Sequence, residues 1–457
     1  ILSSSEGRIA IIGAGIVGIA TAYYLIKQSK AYSVYLIDSH QPMTFTSANS
    51  GENYRNWWPH STMTAFTNLS IDLMEEIARE SENRIHMTRR GYALVTRRTE
   101  IDDLFEDLYN GYSQMNGNFI RVHDSTTVSS YQPANFSDWT LAPDGVDIIR
   151  NKGLIQMHFP NFAMDIKTII HIRRAGDISS QQLGQHMIEV SQKGGLRRIT
   201  GSVRGIEMVD GFKLDIKADG MTQTLKADIL INAAGPFVEK IARMIGFKLP
   251  VQNILQQKIA FEDKKDVLPR NLPFSVDIDS QMINWIEEER KIIADDPMLA
   301  HLIEVMPGGI HCRPEGGGTS RWIKLGWAYS REKVKPKRDL NLDDHFPEIV
   351  LRGASRLQPS LKTYFGRLTR QMKHYGGYYT MTEENWPLIG PIGPKGSYIV
   401  GAMSGYGTMA ACATGYITAR LVNGGTVPDY TSTLGFDRYA IPELLSSLKK
   451  VSRKSLL

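Results

Sequence analysis

The sequence predicts an α/β fold in which one domain, built on a parallel sheet, is interleaved with a second domain of α+β type whose sheet is rich in antiparallel strands. Three observations lead to this prediction. A glycine-rich turn directly follows an apolar strand near residue 13, a second strand ends in Asp38, and three strand–helix pieces are widely separated in the 457-residue chain. The blocks between those pieces alternate short β-like runs with amphipathic helices, as expected for a domain inserted twice into another.

The first strand–helix piece opens with an apolar run at residues 8–12 and continues into Gly13-Ala14-Gly15-Ile16-Val17-Gly18. In this Gly-x-Gly-x-x-Gly pattern the first glycine allows a tight turn, the second lets the backbone approach a pyrophosphate, and the third lets the helix pack on the strand. The helix N-terminus faces the anion. Asp38, followed by Ser39, ends the next strand, where a carboxylate binds a ribose. This order predicts a Rossmann-like dinucleotide-binding domain.

The three strand–helix pieces and the blocks between them predict the division of the chain. The dinucleotide-binding domain covers residues 1–80, 175–240 and 370–430, the second domain covers 81–174 and 241–369, and a C-terminal tail covers 431–457. Two segments, 144–167 and 282–306, are additions to a minimal plan and have apolar residues at helical spacing. Their interpretation stays open between a lid or subunit contact and ordinary packing helices.

Composition excludes several classes of function. With 42% hydrophobic and 22% charged residues the chain is globular in character, and its formal charge of +5 comes from interspersed signs, so no nucleic-acid partner is expected. No run approaches the roughly 18 apolar residues of a membrane-spanning helix. The two cysteines, Cys312 and Cys412, provide neither a disulfide framework nor a zinc cluster. No metal site is predicted, and a reducing, cytoplasmic location is expected, although a removed targeting segment stays open, as does the oligomeric state.

The basic end at residues 444–457 has apolar residues at helical spacing. A helix docked on its own domain is favoured over contact with an anionic membrane surface, because such spacing usually buries one face.

Further runs of small and hydroxylated residues predict additional contacts with the dinucleotide. Such runs let a flat ring approach the backbone, and those at a helix start can stabilise negative charge. They are Ser47-Ala48-Asn49-Ser50-Gly51 with Asn53, then Ala233-Ala234-Gly235 after an apolar strand, and Gly401 with Ser404-Gly405-Tyr406-Gly407-Thr408 before another helix; Val203 is also assigned to the cofactor site.

With these motifs in order, the chain resembles the D-amino-acid-oxidase-like family of flavoproteins, which includes glycine oxidase, monomeric sarcosine oxidase and the dimethylglycine dehydrogenases. The resemblance rests on the opening turn, the 46–51 loop, the run at 232–236, the segment from Tyr379 to Pro391 and the turn at 404–407. It implies that the cofactor is FAD, that the second domain is a substrate domain whose sheet covers the flavin ring, and that a C–N bond is oxidised by hydride transfer to give an imine that hydrolyses.

Carried over position by position, the resemblance also shows departures. Gly377 stands where sarcosine oxidases attach flavin through a cysteine, and Asn49 stands near the position of the attaching histidine in the dimethylglycine enzymes. Noncovalent FAD is therefore expected. Met409 occupies the position of the lysine that holds the substrate carboxylate in sarcosine oxidases, so an arginine is expected to replace it. The candidates are Arg55 beside the flavin loop, Arg313, which is favoured, and Arg321.

Other residues receive roles by the same resemblance. Lys258 is a candidate for the cation that assists oxygen reduction in oxidases, and Tyr379 and Tyr406 are candidates for lining the substrate pocket. His60 and His311 have no carboxylate partner nearby in the sequence, so structural roles are expected for both.

The predicted function is FAD-dependent oxidation of an amino acid or secondary amine, with O2 or another acceptor taking the electrons. Two alternatives stay open. A 2-hydroxy acid is the donor in related dehydrogenases whose flavin loop contains an Asn-Ser-Gly like Asn49-Ser50-Gly51. A noncatalytic role in the assembly of respiratory complexes is compatible with the missing cysteine and lysine.

Overall fold

The computed structural model describes residues 7–29, 32–115, 117, 119–125, 130–135 and 139–452. In this part of the chain the strands β1 to β20 are, in order, Gly7–Ile12, Tyr32–Asp38, Asn53–Arg55, Tyr92–Thr96, Ile120–His123, Val146–Ile149, Thr168–Ile172, Ala175–Asp177, Arg197–Thr200, Ser202–Val209, Gly211–Ala218, Met221–Ala227, Ile229–Asn232, Gln252–Glu262, Phe274–Asp277, Ile310–Pro314, Trp322–Gly326, Lys373–Met381, Leu388–Pro391 and Ser397–Gly401. The helices α1 to α11 are Ile16–Gln28, Ser61–Glu80, Asp102–Tyr112, Lys152–His158, Ser180–Lys193, Val238–Met244, Glu287–Asp295, Phe346–Leu357, Gly407–Val422, Thr431–Leu434 and Pro442–Ser452. Short 3₁₀ helices span Thr46–Asn49, Gly235–Phe237, Ala300–Ile303, Pro359–Tyr364 and Phe436–Ala440.

A six-stranded sheet in the order β19-β20-β13-β1-β2-β9 carries the glycine-rich turn. Its strands from β20 to β9 are parallel, and β19 runs antiparallel to β20 at one edge. Strand β1 lies inside this sheet, and Ile9, Ala10 and Ile11 are fully buried. Because inner strands of a parallel sheet are covered on both faces, this position explains the uninterrupted apolar run of β1.

Helix α1 packs against α9, and both contribute to the same core. The residues of α1 from Ile16 to Leu25 are almost all buried, as expected of a helix enclosed on every side. Small residues on α9 permit the close approach: a Cβ on Gly415 would lie 2.5 Å from the main-chain carbonyl carbon of Ala20. The alanine-rich and glycine-rich sequence of α9 therefore reflects its packing against α1.

A nine-stranded sheet in the order β18-β14-β17-β16-β15-β4-β7-β6-β5 forms the second layer of the molecule. Its pairs are antiparallel except β15 with β4 and β5 with β6. One face is apolar, with Ile259, Leu325 and Ile310 in a core shared with Ile349 of α8. Because side chains alternate along a strand, Lys258 and its neighbours on the other face point away from this core.

Two smaller antiparallel sheets complete the strand pairing. Strands β10, β11 and β12 form one of them, and the short strands β3 and β8 form the other. In the second, Arg55 pairs with Ala175 and Asn53 pairs with Asp177. This pairing fixes the chain that follows the hydroxylated loop against the start of α5.

The predicted fold class is confirmed, since a parallel sheet with helices is combined with a larger sheet that is mostly antiparallel. The predicted division into domains stays a prediction, and the strand pairing differs from it at one point. Strand β18 begins after residue 370, which the prediction assigned to the dinucleotide-binding domain, but it pairs with β14 in the nine-stranded sheet. Local sequence pattern identifies a strand without showing its partner, and β18 is joined to this sheet by nonlocal hydrogen bonds.

The segments 144–167 and 282–306 bury apolar side chains. Leu154, Phe159 and Leu302 all lie in the core beneath the nine-stranded sheet. In the second segment, the helical structure is limited to α7 and a 3₁₀ turn, so its apolar residues at helical spacing do not lie on one continuous helix. These contacts agree with the packing interpretation, while a lid or subunit contact stays untested.

The C-terminal helix α11 is docked on the molecule. Leu448 is fully buried in the core that α1 and α9 share, and Lys449 forms an ion pair of 2.7 Å with Glu383. Residues 453–457 of the basic end lie outside the described residues. Within the described part of the chain, none of the helices has both the length and the apolar character that a membrane span requires.

Replacing Gly415 with alanine is expected to lower the free energy of unfolding by about 1–3 kcal/mol, because the added methyl group meets the backbone of Ala20 between two packed helices. Gly425 provides a matched control, since its Cβ would meet Arg420 at 3.6 Å, an ordinary contact. Urea unfolding followed by circular dichroism compares both variants with the wild type. Equal stability of G415A and G425A would contradict the proposed packing constraint.

Candidate active site

The turn between β1 and α1 lies where the carboxyl ends of three parallel strands, β1, β2 and β13, meet. Gly13 has a φ of +113°, and a Cβ at this position would lie 2.3 Å from the carbonyl oxygen of Ala233. Glycine is therefore required by both backbone conformation and space. The Ala14 N–H donates a hydrogen bond of 2.8 Å to Oδ2 of Asp38. This edge of the sheet, with a glycine turn and a carboxylate at the next strand end, is of the kind that holds dinucleotides in α/β sheets.

A first cavity of about 380 Å³ lies at this edge. The predicted cofactor residues that line it are Gly13, Ala14, Gly15, Asp38, Ser39, Ser47, Val203, Ala233, Ala234 and Gly235. Phe45, Lys240 and Arg338 line it as well and were missed at the sequence level. None of the three belongs to a recognisable motif, so only the folded chain reveals them.

A second cavity of about 120 Å³ continues the first, because both are lined by Gly15, Ser47, Ala233 and Gly235. Its other predicted lining residues are Ile16, Val17, Asn49, Ser50, Gly51, Lys258, Tyr379, Gly401, Ser404, Gly405, Gly407 and Thr408. The loop before β3 and the start of α9 meet here, where the hydroxyl oxygens of Ser50 and Thr408 are 2.8 Å apart. The two cavities together form one elongated site.

Four residues assigned to the cofactor lie outside these two cavities. Gly18 packs inside the turn, where a Cβ would lie 2.0 Å from the carbonyl oxygen of Gly13. Ala48 is exposed on the first 3₁₀ helix. Asn53 and Tyr406 line a third cavity instead. Gly18 thus has the packing role that the glycine-rich pattern gives its third glycine. Ala48 points to solvent because the loop forms a 3₁₀ helix at this point.

The third cavity, of about 50 Å³, adjoins the second, and both are lined by Ser50, Gly51, Lys258, Tyr379 and Gly405. Its remaining walls are mostly aromatic or charged and come from β3 and its flanking residues, from the nine-stranded sheet and from the start of α9: Glu52, Asn53, Arg55, Trp58, Tyr92, Phe274, His311, Tyr406 and Met409. A small, buried, aromatic cavity next to a long one is typical of a substrate pocket beside a cofactor.

Strand register explains why the nine-stranded sheet contributes these side chains. Lys258 of β14 pairs with Gly326 of β17 and with Tyr375 of β18, and Gly326 pairs in turn with His311 of β16. Directly paired residues share a face, so this row points toward the parallel-sheet domain. Tyr379 lies four residues after Tyr375 and is therefore on the same face.

Lys258 is a buried cation in the wall of both smaller cavities. Burial, and secondarily the charge of Lys324, lowers the pKa of its ammonium to about 8. Among the described residues no carboxylate lies within ion-pair distance of it. Its Nζ lies 5.9 Å from the centroid of the Tyr379 ring. Lys258 is thus positioned to place a titratable positive charge beside the second cavity.

Arg55 is a second buried cation, on the wall of the third cavity. It is only 2% exposed, and its guanidinium stacks on the rings of Trp58 and Tyr92, with centroid distances of 4.5 and 5.3 Å. Burial lowers the pKa of its guanidinium. A carboxylate beside it would have the opposite effect and raise that pKa. The described residues contain no carboxylate that pairs with it, and its Nε has no hydrogen-bond partner. Such a guanidinium is suited to bind an anionic ligand.

Arg313, the favoured arginine at the sequence level, does not line any of the three cavities. It is buried in an ion cluster, where its guanidinium lies 2.8 Å from Glu315, 3.5 Å from Asp177 and 3.8 Å from Glu52. Burial would lower its pKa, but these carboxylates raise it above the ordinary value. Its charge is already balanced, so it is not available to a substrate carboxylate.

The third arginine, Arg321, is partly exposed and pairs with Asp266 at 3.1 Å. Of the three arginines considered for binding a substrate carboxylate, only Arg55 lines one of these three cavities.

This ion cluster contacts the loop of residues 46–51, which lines the first two cavities. Nη2 of Arg313 donates a hydrogen bond of 3.1 Å to the carbonyl oxygen of Gly51. Lys324 lies 2.8 Å from Glu315 and 3.4 Å from Glu52, and Oε1 of Glu52 accepts hydrogen bonds of 2.9 Å from the backbone N–H and the hydroxyl of Ser180. The cluster therefore connects the loop, the nine-stranded sheet and the start of α5.

The two histidines differ in position. His60 caps α2 by accepting a hydrogen bond of 3.2 Å from the Thr62 N–H, which is a structural role. His311, for which the same was expected, lines the third cavity. Burial lowers its pKa to about 4, and its Nδ1 is 3.0 Å from the carbonyl oxygen of Gly309. A neutral imidazole that donates through Nδ1 keeps Nε2 unprotonated.

Comparison with known proteins agrees with this geometry. The family model described as FAD dependent oxidoreductase matches residues 8–421. The chain belongs to this family. The family prediction made from the motifs is confirmed, and so is FAD as the cofactor. Comparison with curated protein sequences yields no match.

The flavoenzyme is also similar in fold to solved structures. L-proline dehydrogenase from P.horikoshii superimposes with a TM-score of 0.71 and 16% identity, covering 95% of this chain and 98% of that one. Glycine oxidase from Geobacillus kaustophilus superimposes with a TM-score of 0.70 and 16% identity, covering 94% of this chain and 99% of that one. Iminodiacetate oxidase from Chelativorans sp. BNC1 superimposes with a TM-score of 0.66 and 17% identity, covering 92% of this chain and 97% of that one. At these identities the similarity shows the fold.

The residues present fit FAD. The first cavity offers the glycine turn and Asp38 for the adenosine diphosphate half, and the second offers the loop and helix start for the flavin half. Glycines keep these walls open, since a Cβ on Gly15 would already lie 3.1 Å from Oγ of Ser47.

Replacing Gly15 with valine is expected to abolish copurification of FAD, because the larger side chain fills the passage where the two cavities meet. Gly205, in β10, provides the control: its Cβ would have an ordinary contact of 3.8 Å with Asp215. The ratio of absorbance at 450 nm to 280 nm, roughly unchanged in G205V and lost in G15V, measures the effect. A folded G15V protein with full FAD content would contradict the assignment of the cavity.

Proposed function

We propose that this flavoenzyme oxidises the C–N bond of an amino acid, or of a secondary amine that carries a carboxylate, in the third cavity. The observation that carries this proposal is the buried Arg55 guanidinium, which has no acidic partner in the described residues and faces a cavity that adjoins the flavin site. An unbalanced buried arginine is costly in the free protein and favourable once a carboxylate pairs with it.

The other walls orient the rest of the substrate. Trp58, Tyr92 and Phe274 surround the small volume with apolar surface and limit water, which strengthens the pairing of Arg55 with a carboxylate. Desolvation in the same cavity favours the uncharged amine, the form that can be oxidised. Bound FAD supplies the chemistry by accepting a hydride from the carbon next to nitrogen. Tyr379, which lines both smaller cavities, is placed to contact substrate and cofactor.

We also propose that FAD is held without a covalent bond. Gly377 and Asn49 stand at the positions that the resemblance associates with covalent attachment, and both line the second cavity without a nucleophilic side chain. The two cysteines of the chain are buried elsewhere.

A 2-hydroxy acid also carries a carboxylate, so Arg55 alone does not select an amine. Similarity in fold to proteins named as glycine oxidase, L-proline dehydrogenase and iminodiacetate oxidase supports the amine. Anaerobic bleaching of the flavin band by N-methyl, D- and L-amino acids, with 2-hydroxy acids as the parallel panel, decides between them. Bleaching by hydroxy acids alone would overturn the proposal.

Replacing Arg55 with methionine is expected to raise the KM for the best amino-acid substrate by roughly 30- to 100-fold, because a buried carboxylate loses its partner. The matched control is Arg321→Met, which removes an exposed arginine outside the cavities and should leave KM unchanged. A corresponding amine without a carboxylate should react equally with R55M and wild type. Equal losses on both substrates would contradict carboxylate binding by Arg55.

We further propose that O2 accepts the electrons with help from Lys258. Replacing Lys258 with methionine should slow reoxidation of the reduced enzyme by O2 by about 10²-fold, because a positive charge beside the second cavity stabilises the negative charge formed on oxygen. In the wild type the same rate should fall as pH rises through about 8, where Lys258 loses its proton. Stopped-flow mixing with O2 measures both effects.

Lys258→Arg keeps a charge that does not titrate in this range and should remove the pH dependence while retaining much of the rate. If K258M reacts with O2 as fast as the wild type, Lys258 does not assist this step, and an acceptor other than O2 becomes the better interpretation.

A further inference from the structure

Residues 328–345, which lie between β17 and α8, cross from the nine-stranded sheet to the first cavity. We call this segment the strap. It has no regular helix or strand, yet its backbone is anchored at several points. The Val334 N–H donates to the carbonyl oxygen of Asn253 at 2.9 Å, and the Asp343 N–H donates to Oε1 of Gln257, also at 2.9 Å. Both anchors are on β14, so the strap is attached to the substrate-domain sheet.

A tyrosine of the second cavity provides the central anchor. The Tyr378 hydroxyl accepts a hydrogen bond of 3.1 Å from the Lys337 N–H and donates one of 3.1 Å to the Lys337 carbonyl oxygen. Tyr378 itself lines the second cavity. The residue that follows this anchor, Arg338, is therefore held in a defined place above the cofactor site.

Arg338 reaches the opposite domain. Its Nη2 is 3.5 Å from Oδ1 of Asp38, and its guanidinium lies 5.0 Å from the centroid of the Phe45 ring. Arg338 and Phe45 both line the first cavity. The strap thus brings a cation from one domain onto the cavity of the other, next to the carboxylate that ends β2.

Charge balance gives this cation a role. The described charged residues that line the first cavity are Asp38, Lys240 and Arg338, and Lys240 is exposed on α6. The pyrophosphate of FAD is anionic, but two N–H groups of the glycine turn are already engaged: Ala14 donates to Asp38, and Ile16 donates to Ser47. Neutral N–H groups do not balance the charge of a pyrophosphate, and Arg338 and Lys240 are the described cations that line this cavity.

We propose that Arg338 is a cofactor latch: the strap holds it over the first cavity, where it binds the adenosine diphosphate half of FAD and must move away before FAD can leave. The latch explains why an irregular segment is anchored so closely to β14 and β18. It makes retention of FAD depend on the substrate-domain sheet as well as on the Rossmann-like domain.

The first test is the rate at which FAD dissociates from the full-length holoenzyme, followed by the rise of flavin fluorescence after dilution. Arg338→Ala is expected to increase this rate roughly tenfold, which corresponds to about 1.4 kcal/mol. Arg338→Lys should lie between R338A and the wild type. Lys335→Ala removes an exposed cation of the same strap outside the cavities and should leave the rate unchanged.

The second test separates the latch from a general defect. Tyr378→Phe keeps Arg338 but removes the two hydrogen bonds to Lys337, and it should also speed dissociation, by less than R338A. With apoprotein, ADP should bind more weakly to R338A than to wild type, whereas riboflavin should bind equally to both. A wild-type dissociation rate in R338A, or equal loss of ADP and riboflavin binding, would overturn the proposal. No substrate is added, so these outcomes are independent of the proposed amine oxidation.

Discussion

The pairing of β14 between β17 and β18 is the interaction on which the site depends. Its register places Lys258 opposite Gly326 and Tyr375, on the face that meets the flavin site, and it places Ile259 on the face that packs on α8. A slip of one residue would exchange these faces, burying an ammonium in an apolar core and presenting isoleucine to the cofactor. Both faces are occupied by packed neighbours, so such a slip would disrupt the packing on each of them. The register is therefore strongly specified.

The buried charges separate into two groups with different consequences. Three cations and three carboxylates pair with one another between the sheets: Arg90, Arg313 and Lys324 with Glu52, Asp177 and Glu315. Arg55 and Lys258 line the third cavity without such partners in the described chain. Balanced charges can hold a loop in place, whereas an unbalanced pair of like charges favours an anion between them.

Sequence reasoning identified lining residues of the first two cavities where local backbone chemistry decides the conformation. The glycine turn, Asp38 and the loop at 46–51 were predicted because each needs a residue type that can be read directly from the chain. It did not predict that Arg55 lines a cavity and that Arg313 does not. What distinguishes them is the set of carboxylates around Arg313. Glu315 lies only two residues away in the sequence, whereas Asp177 of β8 reaches Arg313 through the nonlocal fold of the chain. Arg338 had no local signal at all.

One loop connects all three cavities and explains why a residue outside them still matters. The loop enters with Ser47 at the first and second cavities, passes Gly51 at the second and third, and ends with Arg55 at the third. Arg313 donates to the carbonyl oxygen of Gly51, the midpoint of this path. Arg313 therefore contacts the backbone of a loop that lines all three cavities, although its own side chain lines none of them. A buried ion cluster at this point differs from apolar packing in one respect: an apolar group could fill the space but could not donate a hydrogen bond to that carbonyl oxygen.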